Sequence, residues 1–428
     1  MLALLRNFFP KNSFVRKIWY YLKAIFALIR YDFPSQKLKM VAITGTDGKT
    51  TTVEMISQIL KEANIRHLKI STVSIHLDGT QTENTSKRTT LSPLQMGSLL
   101  RKAVDSHVEI AVIEVSSHAI DQGRIFGMSF DIAGITNISE EHLDDHGGFA
   151  KYILLKEKLF RHYLKKKGIA VLSKDDEVVL EMDSRIRKIK KWYSSYGDYS
   201  ADFVSTHLVE TQKGIEFSLM GERLQMPILG KYNVQNATLA FAIATLLNIS
   251  PKVIVEGLRK FSGVPGRLEK IEKGQNFEVY VDFAVTANAL KEVLHSLKNI
   301  TQGNIWVVFG CTGDRDRSKR EQMGKIAGTI ADFVVLTDDE TYTENGEAIR
   351  EEVKKGIQKT TIWNQSGNVQ HFWEIPDRYE AITFALKNAQ KGDAIIITGI
   401  GAETSRNMGG KEIPWNDRKV VEEILQKM

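Results

Sequence analysis

Residues 45–51 carry the residue types of a phosphate-binding loop, in the order Gly-Thr-Asp-Gly-Lys-Thr-Thr. Glycines let a backbone curl so that its N–H groups face phosphate oxygens, Lys49 supplies a cation for the outer phosphates, and Thr50 can offer its hydroxyl to Mg²⁺. Gly45 and Gly48 lie closer together than in the usual loop, so an ordinary strand-to-helix turn is the alternative. We predict ATP binding, which by itself does not separate a kinase, a motor, a GTPase and a ligase.

Such a loop needs a strand before it and a helix after it, and the flanking sequence predicts both. Residues 40–44 form a β-rich apolar run, and an amphipathic helix is predicted from Thr50 to about Ala63. The same alternation predicts strands at 110–115 and 132–136 and a helix at 152–164. Alternating strands and helices indicate a mostly parallel central sheet.

The pattern changes twice further along the chain. Residues 191–230 are short alternating segments broken by glycine, typical of antiparallel hairpins, and a Gly-Val-Pro-Gly run at 263–266 then punctuates the chain. The other predicted elements are helices at 233–247 and 253–261 and strands at 277–283, 305–309, 333–336 and 394–398. We therefore predict an α/β protein with a P-loop ATPase domain at 39–262 and a smaller doubly wound, Rossmann-like C-terminal domain at 263–428.

The first 38 residues form a basic amphipathic segment. They carry seven Lys or Arg residues and one acid, Asp32, interleaved with large apolar side chains. Their longest apolar stretch, 18–29, is interrupted by Lys23, is shorter than the ~20 residues of a spanning helix, and is not followed by a signal-peptide cleavage site. We predict a helix on the anionic inner face of a membrane, and a helix packed on the protein body is the alternative.

Composition narrows the class of protein further. The net charge of the chain is +6, and the basic residues that produce it are concentrated in the N-terminal segment, where they are interleaved with apolar residues. Nucleic-acid binding, which would need basic residues spread along a groove, is therefore not predicted. The single cysteine, Cys311, excludes an internal disulfide and a multi-cysteine metal site. We predict a cytoplasmic protein.

Several segments, in order, resemble the motifs of one family of enzymes, the Mur ligases. Residues 45–51 are similar to their GT(N/D)GKT loop, which folylpolyglutamate synthetases share, and residues 114–118 read EVSSH. Residues 137–147 resemble NxxxDHLDxHG, and the remaining matches are at 152–156, 230–237, 263–267 and 313–320. From residue 39 to the C-terminus the chain resembles most closely the branch of UDP-N-acetylmuramyl-tripeptide synthetases.

The resemblance implies an ATP-dependent amide-bond ligase that activates a carboxylate as an acyl phosphate. A carboxylate can approach the γ-phosphate only if cations cancel the repulsion. By resemblance, Thr50 and Glu114 hold one Mg²⁺ ion, and His142 with a carbamylated Lys156, an oxygen ligand suited to a hard cation, holds a second. The implied catalytic residues are Lys49, Glu114, His142, Lys156 and Arg267.

The resemblance also implies three groups of substrate contacts. ATP would contact Gly45, Thr46, Asp47, Gly48, Lys49, Thr50, Thr51, Asn233 and Asn236, together with Arg267 and Asp282 from the second domain. The muramyl-dipeptide donor would contact Thr89, Thr90, Ser116, Gln122 and Arg124, and the incoming amino acid would contact Arg315, Asp339, Tyr342, Gly399 and Glu403. The match at Thr89 and Thr90 is loose.

The sequence departs from the family pattern in two regions, the one that would bind the nucleotide end of the donor and the one that would bind the incoming amino acid. Relatives carry a first domain that grips a UDP group, and here only the basic amphipathic segment precedes the ATPase domain. Tyr342 stands where an arginine would clasp a distal carboxylate, which argues against diaminopimelate held in the usual way. Residues 399–403 stand in for GKGHE and keep Glu403 but lose the Lys and His, and Val285 replaces another His.

We predict that the protein adds the third amino acid to a muramyl-L-Ala-D-Glu peptidoglycan precursor, with ATP going to ADP and phosphate, in cell wall biogenesis. One alternative is the same chemistry on a lipid-linked peptidoglycan or a folate-type acid, which the missing first domain favours. Another is a membrane-associated P-loop ATPase without ligase activity, which the altered second-domain motifs favour. It is opposed by the intact Lys49, Glu114, His142, Lys156 and Arg267. Lysine and other acceptor amino acids stay open.

Overall fold

The computed structural model describes residues 14–139, 147–364 and 371–428. A sheet of eleven strands and a sheet of six strands organise them. In the larger sheet, strand β1 (Lys39–Thr44) lies at the centre, parallel to both of its neighbours. The other strands of its parallel part are β2 (His67–Ile70), β5 (Ile110–Glu114), β6 (Phe130–Ile135), β7 (Leu164–Ser173) and β8 (Ile189–Ser194), and β3 (Ser74–Leu77) and β4 (Thr80–Glu83) form its antiparallel edge.

Burial on both faces explains why β1 reads as one apolar run. Met40 and Ala42 belong to one core, while Val41 and Ile43 point into the other. Helices cover both faces of the sheet, so β1 cannot shift relative to its neighbours. The loop that follows β1 is therefore held at the carboxyl edge of the sheet. These helices are α2 (Lys49–Glu62), α3 (Pro93–Asp105), α4 (Ser117–Asp121), α5 (Phe149–Lys158), α6 (Glu177–Met182), α7 (Tyr232–Leu246) and α8 (Pro251–Arg259).

Two predictions about the larger sheet are wrong in part. The predicted helix at 152–164 is an α-helix only to Lys158, continues as a π-helical turn, and gives way at Leu164 to β7, whose polar start had hidden a strand. The antiparallel region predicted from 191 holds for β9 (Phe203–Thr211), β10 (Gly214–Leu219) and β11 (Glu222–Met226). Strand β8, however, pairs in parallel with both β7 and β9.

The smaller sheet has the strand order 12-13-17-14-15-16, and five of its strands run parallel. Its strands are β12 (Glu269–Lys270), β13 (Glu278–Asp282), β14 (Ile305–Phe309), β15 (Phe333–Leu336), β16 (Phe372–Glu374) and β17 (Ala394–Thr398), and a separate hairpin contains β18 (Ser405–Met408) and β19 (Lys411–Pro414). The helices are α9 (Ala287–Ile300), α10 (Ser318–Ile330), α11 (Gly346–Ile357), α12 (Thr361–Asn364), α13 (Arg378–Asn388) and α14 (Asp417–Lys427). This confirms the predicted α/β class with a doubly wound second sheet.

The N-terminal segment contains a helix that packs on the protein body. This helix is α1 (Phe14–Arg30), which precedes the sheet in the chain. Ala24 and Ala27 are buried, and Tyr21 meets Phe126 edge-on with ring centroids 5.0 Å apart. Among the residues that the structure describes, no helix combines the length and the apolar character needed to cross a bilayer.

Candidate active site

The loop at 45–51 is built around two glycines that no other residue could replace without movement. Gly45 has φ +145°, and a Cβ there would lie 1.8 Å from Oγ1 of Thr136. Gly48 has φ +82°, and a Cβ there would lie 2.2 Å from Oδ1 of Asn236. Helix α2 begins at Lys49, directly after Gly48, so its unpaired N–H groups point toward the loop.

Neighbouring strands hold the loop in place. The backbone N–H groups of Thr46 and Asp47 donate to the backbone and side-chain oxygens of Asn137, each at 2.9 Å. Thr136 donates its hydroxyl to the carbonyl of Asp47 at 2.6 Å. The two residues that follow β6 therefore hold the loop in a fixed shape by pairing with its backbone.

Two lysines reach the same loop from different elements. Lys49 Nζ lies 3.1 Å from the carbonyl oxygen of Gly45 and 2.5 Å from that of Thr46. Lys156, on α5 and fully buried, donates to the Gly45 oxygen at 2.5 Å and lies 4.4 Å from the centroid of the Tyr152 ring. The structure thus places the Lys156 ammonium against the backbone of the phosphate loop.

Glu114, at the end of β5, is the buried carboxylate of the site. The Thr50 hydroxyl donates to its two oxygens at 3.2 and 3.1 Å. Thr72 donates to Oε2 with both its backbone N–H, at 2.8 Å, and its hydroxyl, at 2.9 Å. Thr72 was not among the predicted site residues. It follows the strand β2, which was not predicted because it has only four residues and two of them, His67 and Lys69, are polar.

The five residues predicted to contact the donor lie together beside Glu114. The Thr90 hydroxyl donates to the Glu114 carbonyl at 2.9 Å and accepts the Ser116 N–H at 3.0 Å. Arg124 donates to the Thr90 carbonyl at 2.8 Å and to Gln122 Oε1 at 2.6 Å, and the Thr89 hydroxyl lies 3.2 Å from that of Thr72. Burial lowers the pKa of Arg124 to about 10, with the charge of Arg88 acting in the same direction.

Four more predicted residues lie near the loop. Asn236 donates to Asn233 Oδ1 at 3.0 Å and accepts the Thr52 hydroxyl at 3.3 Å. From the second half of the chain, the Arg267 guanidinium stacks on Phe283 at 4.4 Å from its centroid. Burial raises the pKa of Asp282 to about 6, opposed by Arg267 and reinforced by the charge of Asp47 on the loop.

The predicted acceptor residues form a separate group at the carboxyl edge of the smaller sheet. Arg315 lies over the Tyr342 ring, 5.2 Å from its centroid, and a Cβ on Gly399 would lie 2.4 Å from a carboxylate oxygen of Asp339. Burial raises the pKa of Asp339 to about 6. Burial raises the pKa of Glu403 to about 7, and the charge of Glu340 acts in the same direction.

His142 lies outside the described residues, as does most of the 137–147 motif. Among the residues that are described, no group of three or more His, Cys, Asp or Glu side chains could by itself hold a metal ion. The described oxygen ligands at the loop are the Thr50 hydroxyl and the Glu114 carboxylate, a pair that suits a hard cation beside phosphate.

The fold and this loop define a two-sheet α/β protein of the P-loop class, with the buried carboxylate of Glu114 beside the loop. Residues 43–244 match the Mur ligase middle domain, and residues 266–401 match the Mur ligase, glutamate ligase domain. The chain belongs to the Mur ligase family, whose members are ATP-dependent ligases.

Three known proteins illustrate the similarity. UDP-N-acetylmuramoyl-L-alanyl-D-glutamate--2,6-diaminopimelate ligase of Solibacter usitatus is 36% identical over 400 residues, 92% of this chain and 78% of that protein. A solved structure of a ligase of the same name is 30% identical with a TM-score of 0.63, over 94% of this chain and 82% of that one. Mycobacterium tuberculosis folylpolyglutamate synthase, complexed with ADP and AMPPCP, shares the fold at 18% identity, with a TM-score of 0.67 over 88% and 92%.

Proposed function

We propose that this protein is an ADP-forming ligase that joins the third amino acid to the D-Glu carboxylate of a muramyl-L-Ala-D-Glu peptidoglycan precursor. One observation carries the proposal: Glu114 is shared between the two substrate sites. Its side chain accepts from Thr50 of the ATP loop, while its carbonyl accepts from Thr90 of the donor group. A single buried residue therefore joins the place for a phosphate to the place for a carboxylate. The names of the relatives support the same substrate.

In the proposed reaction, a donor carboxylate oxygen bonds to the γ-phosphorus as the bond from that phosphorus to the β-phosphate oxygen breaks and ADP leaves. The amine of the incoming amino acid then bonds to the acyl carbon, phosphate leaves, and the amine loses a proton. Lys49 would offset the charge of the outer phosphates, and Arg267 could bridge phosphate oxygens bidentately. Asn233, Asn236 and Asp282 are proposed to line the rest of the nucleotide site, near the base and ribose.

Magnesium fits the oxygens beside the loop. We propose that Thr50 and Glu114 hold one ion, which would neutralise charge on the phosphates. A second ion is proposed at His142 and Lys156. As an ammonium, Lys156 donates to Gly45 O and offers no oxygen ligand, so its role requires carbamylation. Intact-mass measurement under CO₂, with a Lys156→Met variant as control, tests this modification independently of activity.

For the acceptor, we propose that Arg315 holds its carboxylate and Glu403 a distal amine, with Asp339, Tyr342 and Gly399 shaping the site. Tyr342 cannot form the ion pair that an arginine would give a second, distal carboxylate. Its hydroxyl donates instead to Glu340 at 3.2 Å. This favours an acceptor with a distal amine and disfavours one with a distal carboxylate.

The test is phosphate release by the purified protein with ATP, Mg²⁺ and UDP-muramyl-dipeptide across a panel of amino acids, with product masses recorded. Release that needs both the donor and one amino acid supports the proposal and names the acceptor. Release only with a lipid-linked or folate-type acid would move the proposal to that substrate. ATP binding without release on any substrate would favour a non-ligase ATPase.

We further propose that residues 1–38 contact an anionic membrane from the cytoplasmic side. In α1 the apolar side chains at 18, 22, 25, 26 and 29 follow helical spacing on one face, and Leu22, Phe26 and Ile29 are 53%, 59% and 67% exposed. Lys23 and Arg30 flank them, and the helix contains no acid. The opposite face is already occupied by the protein body, which leaves this face for a bilayer.

Sedimentation with vesicles tests the membrane contact. Phosphatidylglycerol vesicles should bind the wild type, and phosphatidylcholine vesicles or high salt should weaken binding. The variant Phe26→Ser with Ile29→Ser should lose binding, whereas Val209→Ser, which alters a residue 54% exposed on β9, should not. Equal binding of all three proteins would contradict the proposal.

The domain limits are also proposed, at 39–262 and 263–428. The two matched family segments, 43–244 and 266–401, end and begin on either side of that boundary. Limited proteolysis that cuts near Gly263 and yields two stable fragments would support it.

A further inference from the structure

We infer that Lys87 is a positioning residue that joins the donor side of the active site to the acceptor side. The inference rests on the proposed function, since it assigns a role to the contact between those two sides. Among ion pairs between described residues, those that cross from 39–262 to 263–428 are both made by Lys87. Its Nζ lies 2.6 Å from Glu412 Oε2 and 3.9 Å from Glu403 Oε2.

On the donor side, the loop that carries Lys87 is fixed. Asn84, which is buried, donates to the carbonyls of Ser71 and Arg88 at 2.8 and 3.1 Å, on either side of Lys87. Lys87 itself has φ +51°, a left-handed conformation that a lysine adopts only when its surroundings impose it. Two residues later the same loop supplies Thr89 and Thr90, so a displacement of Lys87 would move the donor group.

On the acceptor side, Glu412 belongs to the β18–β19 hairpin. Ser405 donates its hydroxyl to the same Oε2 at 2.8 Å, and Lys87 also reaches the Ser405 carbonyl at 3.4 Å. Hydrogen bonds join the hairpin to residues 339–342, which we call the acceptor segment. The Asn407 N–H donates to Glu340 at 2.9 Å, and the Asn407 carbonyl accepts the Tyr342 N–H at 3.2 Å.

Contacts therefore run without interruption from Thr89 and Thr90 through Lys87 and the hairpin to Tyr342. The pair is partly exposed, at 36% for Lys87 and 52% for Glu412, so it is too weak to hold two domains together alone. Its position suits another task. It sets the distance between the donor group and the acceptor segment when the two halves of the chain meet.

Kinetics of charge variants test this role. Lys87→Glu and Glu412→Lys should each lower kcat/KM for the acceptor by about two- to fivefold, the range expected for an exposed ion pair, and leave ATP affinity unchanged. The double variant, which reverses the pair, should regain most of the loss. A double variant no better than either single one would overturn the inference, as would singles equal to wild type.

A zero-length carbodiimide cross-link provides a readout that does not need ligase activity. It should couple Lys87 to Glu412 in the wild-type protein, as seen by peptide mass spectrometry. Lys87→Arg keeps the charge but cannot form the amide, so it should retain activity and lose the link. No link in the wild type would overturn the inference. An enzyme that forms the link yet joins no tested substrates would instead count against the proposed function alone.

Discussion

Thr72 donates its backbone N–H and its hydroxyl to the same oxygen of Glu114, at 2.8 and 2.9 Å. The hydroxyl also lies 3.2 Å from that of Thr89. The direction of the Glu114 carboxylate is therefore fixed by a residue in the loop that follows the neighbouring strand β2. Behind Thr72, Lys69 and Ser71 donate to Glu54 at 2.6 and 2.8 Å, which anchors that loop to α2.

Removing the Thr72 hydroxyl should impair catalysis more than folding. In Thr72→Val the backbone N–H still reaches Glu114, but a hydrogen bond to a charged group, worth roughly 1.5–3 kcal/mol, is lost. We expect kcat to fall by about tenfold or more and the Mg²⁺ requirement to rise. Thr72→Ser keeps the hydroxyl and should stay close to wild type. Identical kcat values for the two variants would show that the contact is incidental.

ATP binding should depend on Gly48 for two reasons, its left-handed backbone conformation and the closeness of the Asn236 side chain. A methyl group at this position meets Asn236 Oδ1 at 2.2 Å, and Asn236 is buried and hydrogen-bonded. We expect Gly48→Ala to raise the Kd for ATP by about tenfold or more, equivalent to roughly 1.4 kcal/mol. Gly221 has a similar φ, +88°, with open space around its Cβ position. Gly221→Ala is therefore the control, and weakened ATP binding there would assign the effect to general strain.

The sequence predicted the parallel strands well where burial on both faces leaves an apolar run. The strands β14, β15 and β17 coincide with the predicted ranges because each is apolar, except for Thr398 at the end of β17. It failed at β2 and β7, where polar residues occupy a strand. His67 and Lys69 of β2 are buried, with Ser57 and Glu54 as partners that lie elsewhere in the sequence.

In the candidate site, too, the sequence revealed the features that lie in one short run and missed those that depend on distant residues. A local run was enough to identify the phosphate loop. Its partners Thr136 and Asn137 follow β6, about ninety residues further along the chain, and their contacts with the loop are visible only in three dimensions. Lys87 and Glu412 are separated by 325 residues, and nothing in either neighbourhood indicates that they meet. The family resemblance indicated the residues that we propose contact the donor, but not Thr72, which donates to Glu114.

The stability of the folded C-terminal half of the chain should depend on a buried ion pair. Arg378 donates to both oxygens of Asp417 at 2.8 and 2.7 Å, and both side chains are fully buried. Arg378→Met would leave the Asp417 charge without its cation, and we expect a loss of about 3–5 kcal/mol in the free energy of unfolding, measured in urea. Lys359→Met, at an exposed pair with Glu321, should change it little. Equal midpoints for the two variants would contradict the expectation.

Acceptor binding should depend on pH through Glu403. Its pKa is raised to about 7, first by burial and then by Glu340, so the carboxyl is largely neutral below that pH and charged above it. A basic amino acid would then meet an anion only on the alkaline side. We expect its KM to fall as the pH rises from about 6 to about 8, while the KM for ATP stays level. In Glu403→Gln the acceptor KM should be high and independent of pH. A wild-type profile that Glu403→Gln reproduces would assign the titration to another group, of which Asp339, with a pKa near 6, is the nearest in kind.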